Sequence, residues 1–216
     1  MSDAKSYNKT RKEAGKFTDD HVVELVRQYQ EKQGLEPDGC FGPLTLASVE
    51  SGLNLEGDGL ASVTLQIAIE EIGKGEEGGN NSGPHVAKYK LIEDDGDPDD
   101  DGAWCAAFLS WCVEEACRRL DLDMPFKRSQ GAKRLFKNAG KAGAFVSSPR
   151  PGDLVCWDRG TPGSWQGHIG IVEKVEEGIL YTVEGNVGRY PSKVRRFMHD
   201  LDRQTRLEGF ARFPGV

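Results

Sequence analysis

The sequence predicts an α+β fold, in which a larger domain of helices followed by antiparallel strands comes after a small all-α module. Three observations predict it. Apolar residues recur at helical spacing in several segments before Pro151, and short β runs divided by turns follow that proline. The Gly-rich stretch SGLNLEGDGLAS, residues 51–62, shows no sustained periodicity. We therefore expect the module at residues 1–55, a linker at 56–62 and the larger domain at 63–216.

The net charge and the cysteine content argue against several classes of protein. A net charge of −7 is unfavourable for nucleic-acid binding, which needs a basic face. The five cysteines are irregularly spaced and the four histidines are scattered, so neither a disulfide framework nor a zinc site is expected. No apolar run approaches the ~18 residues that span a bilayer, and the polar N-terminus lacks the apolar core of a secretory signal. We expect a monomer that is made in the cytosol and does not insert into a membrane.

The N-terminal module is predicted to contain two helices joined by a turn. Thr18-Asp19-Asp20 can cap a first helix, whose apolar stripe runs from Val22 to Tyr29. Pro37-Asp38-Gly39 is typical of a turn, and Pro43 suits the first turn of a second, short helix. Such a pair of helices buries little surface, so the module is expected to be marginally stable alone.

The segment VRQYQEKQGLEPDGCFGPLTLASVE resembles a peptidoglycan-binding module built on the pattern Gln…Gly-Leu…Asp-Gly…Phe-Gly-Pro…Thr. The matching positions are Gln30, Gly34-Leu35, Asp38-Gly39, Phe41-Gly42-Pro43 and Thr45. The match covers about the last half of such a module, which leaves its first helix, within residues 1–18, undecided. The resemblance implies wall binding and makes Gln30, Asp38 and Phe41 candidate contacts. The alternative interpretation is a generic helical hairpin.

The larger domain is predicted to place its helices first and its strands second. The helices are expected near residues 61–72, 104–120 and 131–138. The strands are expected at residues 153–158, 168–175, 179–186, 193–199 and 207–213. This order is typical of an α+β domain, with helices packed on an antiparallel sheet.

Four of the five cysteines are interpreted as structural. Cys112 and Cys117 lie on or near the apolar stripe of the second helix, Cys156 lies within a strand, and Cys40 lies in the module's turn. Cys105 differs by position, because it occupies the first turn of its helix. There, unpaired backbone N–H groups and the helix dipole favour a thiolate over a thiol. Position alone leaves a buried, inert cysteine as the alternative.

The hydrophobic pattern also predicts the register of a hairpin around Glu176-Glu177-Gly178. We expect a three-residue loop, with Val175 opposite Ile179 and glycine in the left-handed conformation. Ile171 then faces Val183, and the apolar side chains share one face of the sheet. A two-residue loop would mix apolar and polar side chains on both faces.

This register brings three polar side chains together on the opposite face. His168 lies directly across from Asn186, and Glu184 is its diagonal neighbour. A single His at the start of a strand is more often a surface residue or a satisfied core residue. A His flanked by a carboxylate and an amide can instead act as an oriented base for a nucleophilic thiol.

Four motifs in order, GAWCAAFLSWC, PGDLVCW, GHIGIV and VEGN, resemble the cysteine- and histidine-dependent amidohydrolase/peptidase (CHAP) domain, a compact relative of papain. The resemblance implies Cys105 as nucleophile, His168 as base, and Glu184 with Asn186 as groups that orient the imidazole. Trp165 is a further candidate substrate contact. Such domains cut amide bonds of peptidoglycan, as N-acetylmuramoyl-L-alanine amidases or as stem-peptide or cross-bridge endopeptidases. No cofactor is implied for this reaction.

The resemblance runs from about Val63 to the C-terminus. It includes EEGGNNSGPHVAKY, which is similar to a stretch found in many phage lysins. A wall-binding module joined to a CHAP domain without a signal peptide resembles a phage endolysin. It would accumulate in the host cytoplasm and reach the wall after holin-type release. Two alternatives remain open: an inactive virion- or wall-associated binding protein, and a bacterial secreted effector or self-remodelling hydrolase.

The acidic run at residues 93–101 has two interpretations. Asp97, Asp99 and Asp101 match the front of a D-x-D-x-D-G calcium loop, and some lysins of this family bind calcium just ahead of the cysteine. The closing bidentate Glu is missing, because Phe108 stands in its place. The sequence therefore favours the second interpretation, a solvated acidic loop.

Overall fold

The computed structural model describes residues 12–13, 15, 18–54, 59–90, 102–161 and 163–214. These residues contain six α-helices and one six-stranded antiparallel sheet, which confirms the predicted α+β class. The helices are α1 (Asp19–Lys32), α2 (Pro43–Asn54), α3 (Leu60–Glu70), α4 (Pro84–Lys90), α5 (Cys105–Leu120) and α6 (Ala132–Ala142). The strands are β1 (Ala144–Val146), β2 (Leu154–Asp158), β3 (Gly167–Glu176), β4 (Ile179–Val187), β5 (Lys193–Asp200) and β6 (Leu207–Arg212).

The helix α5 lies at the centre of the larger domain. The strands follow the order β1-β6-β2-β3-β4-β5, and α5 packs against β3 and β4 with α3 and α4 beside it. Most of its residues are buried, and their apolar side chains join one face of the sheet in the main core. The opposite face carries a smaller apolar cluster around Val155, Val172, Leu180 and Phe210. The main core therefore holds the start of α5 against the middle of the sheet.

The turn between β3 and β4 differs from the sequence-based expectation. It contains two residues, Glu177-Gly178, with φ of 49° and 78°, and Ile179 pairs with Glu176 rather than with Val175. The predicted three-residue loop is therefore wrong. Two residues with positive φ give a turn whose twist matches that of the flanking strands, which makes the shorter loop favourable.

A β-bulge in β3 restores the predicted register beyond this turn. Glu173 is the extra residue, and Ile171 lies opposite Val183 as the sequence predicts. The Glu173 carboxylate accepts hydrogen bonds at 2.9 and 3.0 Å from Nε of Arg196 on β5, and both side chains are buried. The bulge thus compensates the shorter turn and keeps the polar face of β3 and β4 in place.

Two glycines of the sequence motifs allow close packing around this face. A Cβ at Gly170 would lie 2.7 Å from Cγ of Glu184, so the glutamate packs directly on the β3 backbone. A Cβ at Gly185 would lie 2.8 Å from Phe108 and 3.0 Å from Trp104 at the start of α5. Any larger residue at either position would push β3, β4 and α5 apart.

The N-terminal module is organised around Gln30, which is 3% exposed. Its amide NH₂ group lies within hydrogen-bond distance of three acceptors, which are Asp38 Oδ1 at 2.8 Å, the Cys40 carbonyl at 2.9 Å and Thr45 Oγ1 at 3.0 Å. Its amide oxygen accepts from the Gly39 N–H at 2.8 Å. Gln30 and Asp38 therefore hold the turn together within the module, and their contact with the wall stays a prediction.

The module also contacts the larger domain. Its helix α2 lies against β3 and β5, and the Gln33 carbonyl accepts a hydrogen bond from Nη1 of Arg196 at 3.3 Å. Gly34 approaches Ile72 so closely that a Cβ there would fall 2.1 Å from Cγ2 of the isoleucine. The Glu173–Arg196 ion pair therefore joins β3 and β5 and also reaches the module.

Candidate active site

Cys105 is the first residue of α5, and its side chain lies over the beginning of β3. The residue is only 4% exposed, and the nearby backbone N–H of Ile169 helps to lower the pKa of its thiol. Trp104 precedes it and provides no side-chain cap for the helix. Cys105 therefore lies at a helix N-terminus whose first N–H groups receive no side-chain cap.

His168 on β3 lies between this thiol and a carboxylate. The residue is 5% exposed, and its Nε2 makes a hydrogen bond of 2.7 Å with Oε2 of Glu184. Its Nδ1 is buried and makes no hydrogen bond of regular geometry with the other described residues. The Cys105 side chain lies close enough to the ring to raise the pKa of His168. One ring nitrogen is thus held by the carboxylate, and the other is left for the thiol.

The charges of Cys105 and His168 stabilise each other. Burial alone would raise the pKa of Cys105, but His168, the charge of Arg159 and the Ile169 N–H outweigh it and lower that pKa. Burial alone would lower the pKa of His168, but Cys105 and Glu184 outweigh it and raise that pKa to about 9. The pair therefore favours a thiolate beside an imidazolium, which is the reactive form of a cysteine nucleophile.

The other buried cysteines lack this environment. Burial raises the pKa of all three thiols above the usual value of a cysteine. The pKa of Cys112 is raised well above that value, and the pKa of Cys156 is raised to about 12. All three lie in the main core. These positions agree with the structural roles that the sequence predicts for them.

Glu184 on β4 is a fully enclosed carboxylate, 2% exposed. Besides His168, it accepts hydrogen bonds from Thr182 Oγ1 at 2.5 Å and from Nε2 of His199 at 2.6 Å. Burial would raise its pKa, but the hydrogen bonds and charges of the two histidines lower it to about 2. Glu184 is therefore ionised and provides the negative charge that His168 needs.

One protein-family model matches the part of the chain that carries this site. Residues 97–186 match the family model of the CHAP domain. The matched segment contains Cys105, His168, Glu184 and Asn186. Searches of the curated proteins and of the solved structures found no match. CHAP domains are typically cysteine- and histidine-dependent amidohydrolases or peptidases, so the match supports an enzyme that acts on peptidoglycan.

Asn186 lies at a departure from regular strand geometry near the end of β4. It is half-buried and has φ of 59°, at an irregularity between Glu184 and Val187 where the pairing of β4 with β5 shifts. Among the described residues, no hydrogen bond joins its side chain to His168. The strict alternation that placed Asn186 directly across from His168 does not hold at a left-handed residue.

His199 and Thr182 are site residues that sequence reasoning missed. His199 lies near the end of β5, and its position depends on β5 being the outer neighbour of β4. The order of strands far apart in sequence could not be predicted from local patterns. The alternation of β4 does place Thr182 on the same face as Glu184, so that signal was available.

Trp157 on β2 packs against both histidines. Its ring centroid lies 5.8 Å from that of His168 and 4.7 Å from that of His199, and the residue is 7% exposed. The large aromatic ring excludes water from this side of the site. It thereby strengthens the hydrogen bonds of the buried Glu184 carboxylate.

The thiol opens into a cleft of about 290 Å³. The described residues that line it are Ala103, Cys105, Gln130, Ala132, Arg159, Gly160, Trp165, Gln166 and Gly167. Arg159 is the only Arg, Lys, Asp or Glu among them. Trp165, 45% exposed, also borders a second cleft of about 480 Å³ with Lys133 and Glu208 in its wall. Trp165 thus borders both clefts, one of which contains Cys105.

The other predicted site residues are Phe41 and the three aspartates of the acidic run. Phe41 is 58% exposed on the N-terminal module. Asp97, Asp99 and Asp101, the candidate calcium ligands, lie outside the described residues. Within the described parts of the chain, no group of three or more His, Cys, Asp or Glu could hold a metal ion. None of the described helices is long and apolar enough to cross a membrane.

Glu76 anchors the segment that leads into Cys105. Its carboxylate accepts hydrogen bonds from the N–H of Asn81 at 2.9 Å, from Nε1 of Trp104 at 3.3 Å and from the N–H of Ser192 at 2.6 Å. Burial would raise the pKa of Glu76, but these donors outweigh it and lower that pKa. The position of Trp104, and with it the start of α5, therefore depends on an ionised Glu76.

Glu76→Gln is expected to lower the free energy of unfolding by about 1–3 kcal/mol, because an amide has one acceptor oxygen and leaves a buried N–H unpaired. The donors stabilise only the ionised form, so the loss should shrink as the pH falls below the usual pKa of a glutamate. Urea denaturation at neutral and acid pH measures this. Glu77→Gln, at an exposed neighbouring position, is the control. Equal stability of the two variants at neutral pH would contradict the assignment.

Proposed function

We propose that this protein hydrolyses amide bonds of bacterial peptidoglycan, with Cys105 as the nucleophile and His168 as the acid and base. The observation that carries the proposal is the buried arrangement of Cys105, His168 and Glu184. It combines a thiol of lowered pKa with an oriented imidazole, and it opens into a cleft. The CHAP match supports the substrate class.

The reaction follows from the charges of the pair. The Cys105 thiolate attacks the amide carbonyl carbon, and the N–H groups at the start of α5 stabilise the resulting oxyanion. The His168 imidazolium gives its proton to the leaving amine as the C–N bond breaks, which leaves a thioester on Cys105. Water then attacks the thioester while His168 takes its proton, and the thiolate leaves as the carboxylic acid product forms. Glu184 keeps the ring oriented through both steps.

The lining of the cleft limits the substrate that we propose. Arg159 lines the cleft, and its guanidinium makes no hydrogen bond or ion pair with another described residue. Neighbouring lining groups are amides, glycines and an aromatic ring. Such a cleft suits a polar peptide that is neutral or carries a carboxylate near the scissile amide, as stem peptides do. Both an N-acetylmuramoyl-L-alanine amidase and an endopeptidase fit this description.

Analysis of the fragments released from purified peptidoglycan tests the function. We expect new amino groups without new reducing sugar ends, because an amide is cut and a glycosidic bond is not. Free lactyl groups with new N-terminal alanine would identify an amidase, and other new amino termini would identify an endopeptidase. New reducing ends, or no release by a folded protein, would overturn the proposal.

The pH dependence of hydrolysis follows from the ion pair. Cys105 must be a thiolate and His168 an imidazolium, so activity should fall when the pH drops below the lowered pKa of Cys105. It should also fall as the pH rises through about 9, where His168 loses its proton. Rates of peptidoglycan solubilisation across this range should give a bell-shaped profile. A profile that keeps rising above this pH would show that imidazolium is not required.

We further propose that the N-terminal module holds the enzyme on the wall, since tethering raises the local concentration of enzyme at an insoluble substrate. Phe41→Ala should weaken binding to insoluble sacculi without loss of stability, because the ring is 58% exposed. Leu25→Ala is the matched control, at a position 60% exposed on α1 of the same module. Equal sacculus binding by both variants in a pull-down assay would contradict the role of Phe41.

The biological setting that we propose is phage-induced lysis of the host. The support is the resemblance of the two-part organisation to an endolysin. Expression in a bacterial host should leave the cells intact until the inner membrane is opened by a holin or by chloroform, and should then lyse them. Lysis without membrane opening, or no lysis after it by an enzyme active on sacculi, would contradict this setting.

A further inference from the structure

We propose that His199 is a positioning residue for the catalytic histidine, acting through Glu184. The inference rests on the proposed function, and it assigns to His199 part of the orienting role that sequence reasoning gave to Asn186. His199 makes a hydrogen bond of 2.6 Å to Oε1 of Glu184, while His168 uses Oε2 at 2.7 Å. One carboxylate therefore joins two imidazoles from different strands.

The arrangement fixes the direction of the carboxylate. Thr182 and His199 both donate to Oε1, so this oxygen is occupied on the side away from His168. A rotation of the carboxylate would break these two hydrogen bonds as well as the one to His168. The Glu184 side chain is only 3% exposed, so water cannot readily replace a lost donor. The remaining oxygen is thereby held towards His168.

The His199 ring is itself held in place by packing. Trp157 lies 4.7 Å from it, and Phe197 stacks beside it at 6.3 Å between ring centroids. Trp157 also lies against His168, so the two imidazoles share one aromatic neighbour. Movement of His199 would therefore disturb both Glu184 and the packing of the catalytic histidine.

Other charged groups also act on Glu184. Arg195 on β5 is its cross-strand partner in the sheet, His168 comes from β3, and Cys105 comes from α5. Of the hydrogen-bond donors to Glu184, His199 is the one that lies neither on β4 nor in the proposed catalytic pair. Its removal is therefore the substitution that changes the carboxylate while leaving the nucleophile and the base intact.

Three variants of the full-length protein test the role. His199→Phe keeps an aromatic ring and removes the donor, His199→Gln keeps an N–H donor, and Asn186→Ala removes the residue that the sequence favoured. We expect His199→Phe to lower kcat by about 10–100-fold with little change in KM. The alkaline limb of its pH profile should move to lower pH, because a misaligned Glu184 stabilises the imidazolium less. His199→Gln should recover most of both losses, and Asn186→Ala should change kcat less than about threefold.

The pH dependence of Cys105 alkylation by iodoacetamide gives a second readout that needs no substrate. His199→Phe should shift this profile to higher pH, because a less stable imidazolium stabilises the Cys105 thiolate less. The inference would be overturned if His199→Phe kept wild-type activity and an unshifted alkylation profile. It would also be overturned if His199→Phe lost kcat with an unshifted profile and His199→Gln recovered none of the loss. Failure of the wild-type protein to cut peptidoglycan would concern the proposed function instead, and the alkylation profiles would still decide the role of His199.

Discussion

Cys105→Ser is expected to reduce peptidoglycan hydrolysis by about 10³-fold or more while the fold is retained. The site lowers the pKa of a thiol by placing it beside His168, and a serine hydroxyl remains protonated in the same place. The substitution changes one buried atom, so the core should pack as before. Hydrolysis of sacculi is measured by the loss of turbidity, and the fold by circular dichroism and thermal unfolding.

Cys112→Ala and Cys117→Ala are the matched controls for this experiment. Both thiols are buried on α5 with raised pKa values, so their removal should leave a small cavity and cost about 1 kcal/mol of stability. Activity per folded molecule should be unchanged. Near-normal hydrolysis by Cys105→Ser, or an inactive but stably folded control variant, would show that the nucleophile has been misassigned.

Glu184→Gln is expected to produce the second large loss, about 10³-fold in kcat, because a neutral amide cannot stabilise the imidazolium. In the native protein, two histidines donate hydrogen bonds to the two oxygens of the Glu184 carboxylate. A Gln amide would face one of these histidines with its NH₂ group, which cannot accept a hydrogen bond. The alkaline limb of the pH profile should move to lower pH, since His168 loses the charge that helps to raise its pKa to about 9.

Asn186→Ala is the comparison for Glu184→Gln within the same strand. Both positions belong to the VEGN motif, but only Glu184 makes a hydrogen bond to His168 among the described residues. We expect a loss of less than about threefold for the asparagine variant. Equal losses in the two variants would show that Asn186 approaches the imidazole during catalysis.

The local patterns of the sequence are sufficient to predict His168 and Glu184 as neighbours and Cys105 as the first residue of a helix, whereas the link between the thiol and this pair came from the resemblance to CHAP domains. The position of Cys105 follows from the start of an apolar helix, and the faces of β3 and β4 follow from the period of two in their side chains. The predicted register of Ile171 with Val183 is confirmed, although the turn that was used to reach it is wrong. A shorter turn and a bulge cancel each other, which a periodic pattern cannot reveal.

The features that escaped prediction depend on long-range structure or on local departures from regular strands. His199 meets Glu184 because β5 joins the sheet beside β4. Asn186 lies at a left-handed position, where strand alternation fails. Glu76 reaches Trp104 and Ser192 from a loop far away in the sequence. Contacts of this kind are set by the packing of the whole domain and leave no periodic signal.

Alkylation of Cys105 across a range of pH tests most directly the central claim that its thiol is held as a thiolate by His168. In a Cys40→Ser background, which removes the exposed thiol, iodoacetamide should modify Cys105 at about pH 6 and spare the three core cysteines. Peptide mapping by mass spectrometry identifies the modified residue, and His168→Ala should slow the modification at this pH by about tenfold or more. A Cys105 that reacts only at alkaline pH, or that reacts equally fast without His168, would contradict the account.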